Sequence, residues 1–310
     1  MKVLLTGATG FIGSKIVEEL LAEGAEIYSL ERITSRPTGV FQNSVTHLYH
    51  DFQAPLPERI LKKLDNIDYI IHCGAEVHGL RSLENPSGFV SANVLGTFNL
   101  LEAARILKPK KFLYISTAEV TGCCWFDSFD EQCALRPSNP YAAAKASGEM
   151  LCKSYTASFG VPVIIARSMN VFGERQDTSK FIPSVIKKIL SGERVPVHVG
   201  RDDKSGSRHW LHVSAFVEGL LYLLDKGVIG ETYHIVGPEV SNQEVVTLLA
   251  QYLGRNLHTN LFVPGRSHDM RYSITDNKIP SGVYKNSKKY FLESLKETAL
   301  AYQENQGWLV

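Results

Sequence analysis

Near the start of the chain, Thr6-Gly7-Ala8-Thr9-Gly10-Phe11-Ile12-Gly13 sets three glycines at intervals of three. Before them lies a short apolar run, Val3-Leu4-Leu5, and after them Ile16, Val17, Leu20 and Leu21 recur at helical spacing until Gly24. A strand that turns through spaced glycines directly into a helix is the opening of a βαβ unit, and few folds begin that way. The rest of the first half keeps the alternation. Apolar runs at 27–30, 45–49, 67–72, 112–116 and 162–166 read as strands, and 88–107 and 141–158 read as helices. This pattern predicts an α/β fold with a Rossmann-type doubly wound parallel sheet covered on both faces. After about Arg167 the elements become shorter and mixed. Helices are predicted at 180–190, 214–225, 241–253 and 290–303, and strands at 195–199 and 232–236. We therefore expect a domain over 1–166 and a smaller mixed α/β C-terminal substrate lobe over 167–310, with segments near 205–235 returning to the first domain.

Composition narrows the function classes. Thirty-three Lys and Arg against thirty-two Asp and Glu leave a net charge of +1, which gives no electrostatic reason to expect nucleic acid or an anionic membrane as partner. The longest apolar runs fall far short of the ~20 residues that span a bilayer. Five scattered cysteines without CxxC spacing indicate neither a disulfide framework nor a zinc site. The chain enters its first strand without a cleavable signal, so a cytoplasmic enzyme is expected.

The glycine turn has a physical reading. Gly7 permits the tight turn, Gly10 lets backbone approach a pyrophosphate, and Gly13 lets helix and strand close up. The first helical residues, Phe11 and Ile12 among them, offer unpaired N–H groups and the positive end of the helix dipole to phosphates. Glu31 closes the second strand about twenty residues on, where a carboxylate accepts hydrogen bonds from an adenosine ribose and repels a 2′-phosphate, favouring NAD over NADP. Asp51-Phe52 follows the third strand, where a loop acid can hold the adenine amino group. Further on, Tyr141 and Lys145 lie four apart on one helical face. An ammonium near a phenol lowers its pKa from ~10, making a base for a substrate hydroxyl. Thr117, in Ser116-Thr117-Ala118-Glu119, ends a central strand and can hydrogen-bond the same hydroxyl.

With these motifs in order, the chain resembles the extended short-chain dehydrogenase/reductase family that modifies nucleotide sugars. The resemblance also covers His72-Cys73-Gly74-Ala75-Glu76-Val77-His78, Asn93-Val94-Leu95-Gly96-Thr97, and stretches 167–173 and 208–213. Within the family it is most similar to the dTDP-glucose 4,6-dehydratases, through Thr117-Ala118-Glu119-Val120, 172–183 and His268-Asp269-Met270-Arg271-Tyr272. The resemblance implies oxidation at C4, loss of water across C5 and C6, and hydride return. It implies Tyr141 as C4 base with Lys145 as its partner, Thr117 as catalytic threonine and Glu119 as C5 base. It places Ala75 and Asn93 at the cofactor, and His78, Asn170, Lys180, Arg208, Arg266 and His268 at a nucleotide-diphosphate sugar. It sets His234 where dehydratases contact the nucleotide through Asn.

One departure stands out. The dehydratase pattern is Thr-Asp-Glu, and Ala118 sits where the Asp protonates the departing C6 hydroxyl. Either Glu119 shuttles that proton, a water or Cys123 assists, or the reaction is UDP-glucuronate decarboxylation or 4-epimerisation. A non-catalytic NAD-binding regulator is the reading from another class. His209 and His212 have no acidic or thiolate neighbour in sequence and read as core, and Cys123-Cys124 reads as packing. The family pairs two helices per subunit, here 88–107 and 141–158, so a homodimer is expected, with Phe89, Phe98, Leu101, Met150 and Leu151 offering apolar surface.

Overall fold

A computed structural model of the protein describes residues 1–32, 44–124, 128–200, 204–263 and 271–309. The first half runs β1 (Lys2–Thr6), α1 (Phe11–Ala22), β2 (Glu26–Glu31), β3 (Thr46–Tyr49), α2 (Glu58–Lys63), β4 (Tyr69–His72), α3 (Gly79–Glu84), α4 (Pro86–Val90), α5 (Gly96–Leu107), β5 (Lys111–Thr117), α6 (Pro140–Phe159) and β6 (Val163–Ser168). Then follow β7 (Asn170–Phe172), α7 (Phe181–Ser191), β8 (Val195–His198), β9 (Ser207–His212), α8 (Val213–Lys226), β10 (Thr232–Ile235), β11 (Glu239–Ser241), α9 (Asn242–Tyr252), β12 (Thr259–Phe262) and α10 (Lys288–Glu304).

Seven parallel strands make the central sheet in the order β10-β6-β5-β4-β1-β2-β3. Strands with both faces covered need continuous apolar runs, and β6 is buried at every position. On one face Ile16, Val17 and Leu20 of α1 and Phe216, Leu220 and Leu223 of α8 form a core with the sheet. On the other face Leu100, Leu101 and Ala104 of α5 meet Cys152 and Tyr155 of α6. Strand order reverses between β1 and β4, and a crevice opens at the carboxyl ends of strands at such a switch point. The doubly wound parallel sheet expected from the alternation is therefore present.

The later chain builds a three-stranded sheet, β11-β9-β7, and a two-stranded one, β12-β8. Phe172, Ile186, Trp210, Leu249, Phe291 and Tyr302 pack a separate core beneath them. The helix expected over 88–107 is interrupted. Between α4 and α5, Ser91–Leu95 forms a π-helical turn, which sends Asn93 inward. Phe89 and Leu101 are buried against their own fold, whereas Phe98 and Met150 are exposed, as are Leu95, Ile106 and Phe159 nearby. No described helix is long and apolar enough to cross a membrane.

Candidate active site

The crevice is a cavity of about 890 Å³ whose floor is the glycine turn. Gly7 adopts φ +73°, and a Cβ on Gly13 would lie 1.9 Å from the Gly7 carbonyl oxygen, so α1 starts as close to β1 as a helix can. No side chain caps α1 at Gly10, and Gly10, Phe11, Ile12 and Gly13 all line the cavity. An uncapped helix start presented to a cavity suits a phosphate. Glu31, which is not itself a lining residue, is buried at the end of β2, accepting hydrogen bonds from Ser29 and from Thr9 of the glycine turn, the latter at 3.3 Å.

Three further residues assigned to the cofactor likewise do not line this cavity. Asn93 spends both ends of its amide on the backbone of Glu76, each at 2.9 Å, and so fixes the loop that carries Ala75, which does line the cavity. Phe52 fills the space over Gly74 and Gly96, where a Cβ would come within 2.9 and 2.5 Å of its ring. Asp51 closes its own turn, accepting from the Gln53 N–H at 3.0 Å. None of the three is among the lining residues.

The reacting end is built by β5 and α6. Thr117 ends β5, and its hydroxyl accepts from the Glu119 N–H at 3.3 Å, starting the 3-10 turn Ala118–Thr121. The Asn139 side chain caps α6, with Pro140 in the first turn, so Tyr141 enters one turn ahead of Lys145. Asn139 also donates to Glu119 Oε2 at 3.1 Å, which joins the two catalytic segments. Lys145 Nζ donates to the Ile115 carbonyl at 2.7 Å and lies 4.1 Å from the centre of the Tyr114 ring. Burial lowers its pKa to about 8. Burial and the charge of Glu119 push the Tyr141 phenol well up, against hydrogen bonding with Thr117. The lysine that sequence spacing set on the face of the phenol thus gives one of its three N–H donors to β5.

Behind the reacting groups lies a buried network. Ser116 Oγ donates to Glu149 Oε1 at 2.6 Å, Arg167 meets the same carboxylate through two bonds of 2.9 and 2.7 Å, and Arg167 Nη1 is 3.3 Å from His234 Nε2. Such a pair is costly to desolvate, but every charge in it is met, and removal of one member leaves the other stranded. It pins the carboxyl ends of β5 and β6. His234 belongs to it and is fully buried, not at a nucleotide site.

His78, Asn170, Lys180 and Arg208 line the outer part of the cavity. The Arg208 guanidinium lies 4.8 Å from the centre of the Tyr272 ring, whose hydroxyl is 3.1 Å from Ser138 Oγ. Arg266 and His268 fall outside the described residues. Ser138, Asn139 and Tyr272 were not singled out as site residues from sequence; the Asn139-Pro140 pair, a helix-start signal, could have pointed to Asn139. Elsewhere His209 bonds to the Gly237 carbonyl and Ser273, and His212 to Glu174 at 3.4 Å. Among the described residues no group of three metal-ligating side chains comes together. Cys73 lines the cavity, and burial raises its thiol to about 12, which disfavours the thiolate.

Ala118 does not face the cavity. It is fully buried and packs with Val236, Ile274, Phe129 and Met169. The position that carries an acid in the dehydratase pattern is here closed by apolar side chains.

Residues 3–236 match the model of the NAD dependent epimerase/dehydratase family. The chain is 34% identical to a dTDP-glucose 4,6-dehydratase of Streptomyces antibioticus over 99% of this chain and 94% of that protein. A dTDP-glucose 4,6-dehydratase of Streptomyces venezuelae, solved with NAD and TYD bound, superposes with a TM-score of 0.90 at 31% identity, covering 99% and 98% of the two chains. A UDP-glucose 4-epimerase of Thermus thermophilus, solved with NAD, follows at 0.88 and 26%, covering 98% and 99%. With the glycine turn and the Thr117, Tyr141 and Lys145 group in one cavity, this chain belongs to the NAD dependent epimerase/dehydratase family.

Proposed function

We propose that the protein is an NAD-dependent nucleotide-sugar 4,6-dehydratase, and the observation that carries this is the meeting of Thr117, Glu119, Tyr141 and Lys145 in one cavity that opens beside an uncapped helix start. NAD, when bound, would supply a reversible hydride acceptor and a positive charge that favours the phenolate of Tyr141. The glycine turn and the start of α1 would hold its pyrophosphate, and Glu31 its adenosine ribose. Tyr141 Oη takes the proton of the sugar O4, and Thr117 orients that hydroxyl. Lys145, fixed on the Ile115 carbonyl, keeps a positive charge beneath the site. Glu119, steered by Asn139, removes the C5 proton once C4 is a ketone.

Residues 1–166 form the cofactor half of this unit and 167–310 the sugar-nucleotide half, where Asn170, Lys180 and Arg208 meet the diphosphate sugar, with Arg266 and His268 assigned by resemblance. The exposed Leu95, Phe98, Ile106, Met150 and Phe159 give two helices an apolar face, and a homodimer covers it. The reaction is tested by mass spectrometry after incubation with dTDP-glucose, UDP-glucose and UDP-glucuronate. Loss of the mass of one water supports the assignment. Loss of carbon dioxide, or conversion to a stereoisomer at unchanged mass, refutes it in favour of decarboxylation or epimerisation.

A further inference from the structure

Elimination of water needs a proton for the departing oxygen, since hydroxide is a poor leaving group. With Ala118 sealed beneath Val236, Ile274 and Met169, that proton has another source. The described side chains lining the cavity narrow the choice. Tyr141 and Lys145 serve the oxidation. Asp177 accepts from the Ser179 N–H at 2.8 Å, and its carboxyl is held low, so it is ionised and has no proton to give. His78 accepts from the Arg81 N–H at 3.4 Å through Nδ1 and is also hydrogen-bonded to the Ser179 backbone, so both ring nitrogens are engaged. Tyr272 is buried with its hydroxyl on Ser138. A guanidinium such as that of Arg208 does not release its proton in proteins.

Glu119 is taken up as the C5 base, and Lys180 lines the same cavity as its carboxylate. A Cβ on Gly79 would lie 3.8 Å from Glu119 Oε2. The adjacent His78 is tied to Ser179, the residue before Lys180. Lys180 is half-buried on the cavity wall, and its charge interacts with that of Glu119. Burial lowers its pKa below the usual lysine value, which makes the ammonium a stronger acid.

We propose that Lys180 is the catalytic acid of the elimination, protonating the C6 oxygen while Glu119 removes the C5 proton. This rests on the dehydratase reading. The C5–H pair becomes the C5=C6 π bond, the C6–O bond breaks, and its pair leaves with the Lys180 proton as water. The proton that Tyr141 took from O4 balances the one Lys180 gives, and both groups re-equilibrate with solvent at the open mouth of the cavity.

The test uses a leaving group that needs no proton. Wild type, Lys180→Arg and Lys180→Met are compared with dTDP-glucose and with its 6-deoxy-6-fluoro analogue, and binding of each compound is measured by calorimetry. A side-chain acid contributes about 10²–10⁴-fold. Lys180→Arg, which keeps the charge, should lose at least a hundredfold in kcat on dTDP-glucose. Whatever its affinity for either compound, its kcat on the fluoro compound relative to that on dTDP-glucose should rise at least about thirtyfold over wild type. Lys180→Met should show the same split in kcat whatever its affinity. An equal fall on both compounds, or no fall on either, overturns the proposal while leaving the dehydratase reading intact. If wild type eliminates neither water nor fluoride, the dehydratase reading fails and the proposal with it.

Discussion

Ala118→Asp restores the dehydratase pattern on paper, yet the structure predicts harm from it. The methyl group of Ala118 is fully buried among Val236, Ile274, Phe129 and Met169. The extra atoms overpack a filled site, at about 1–3 kcal/mol. A carboxyl left there without a partner adds about 1–3 kcal/mol. The sum is roughly 2–6 kcal/mol, and at about 2–4 °C per kcal/mol for a long chain the melting temperature should fall by about 5–20 °C. Burial raises the pKa of such a carboxyl above its unfolded value. The deficit should therefore be smallest below about pH 3, where the group is protonated in both states, and should grow as pH rises. Thermal unfolding by circular dichroism at several pH values reads this directly. A variant that melts with wild type and forms product faster would refute the reasoning, because the carboxylate would then reach the substrate.

Other perturbations test other parts. His234 is held neutral by burial and then by the charge of Arg167, its pKa lowered to about 3, while Thr275 fixes its other ring nitrogen at 2.8 Å. The stability it contributes is complete above about pH 6.5 and is lost toward pH 3 at up to ~1.4 kcal/mol per pH unit. The acid decline in melting temperature should flatten in His234→Asn, and an unchanged slope counts against the buried site. Glu31→Ala should weaken NAD binding about tenfold, the worth of a hydrogen bond or two, without weakening NADP; calorimetric titration that shows equal losses removes Glu31 from the ribose. Phe98→Asp puts a charge on the exposed face of α5 and should give monomers by sedimentation at micromolar concentration. A dimer that survives it places the interface elsewhere.

Much of the sheet was legible because parallel strands buried on both faces must be continuous apolar runs, as 112–116 and 162–166 are. The positions of Thr117 and Tyr141 at the ends of such elements were legible for the same reason. Thr117 ends β5, and Tyr141 lies just past the Asn139 cap. What escaped depends on contacts between distant segments. β7 and β11 are three residues each and exist through pairing with β9, a partner distant in sequence from both. Ala118 faces Ile274 and Phe129 because loops from both halves cover it, and no local pattern announces that. Asn93 and Phe52 looked like cofactor contacts because the motif places them near one. What the motif does not show is that Asn93 holds the Glu76 loop and that Phe52 fills the space beside Gly74. The Tyr141–Lys145 spacing gave the shared face correctly, but not the Ile115 carbonyl that claims the ammonium.

The division of labour between Tyr141 and Glu119 is tested most directly by turnover of dTDP-glucose in deuterated water, followed by nuclear magnetic resonance and mass spectrometry. Wild type should yield a product lighter by one water with solvent deuterium at C5. Tyr141→Phe should return the sugar unchanged. Glu119→Gln should oxidise C4 and stop, with no deuterium at C5 and no water lost. If Glu119→Gln instead releases the dehydrated, deuterated product at the wild-type rate, the carboxylate has no part in the chemistry and the assignment fails.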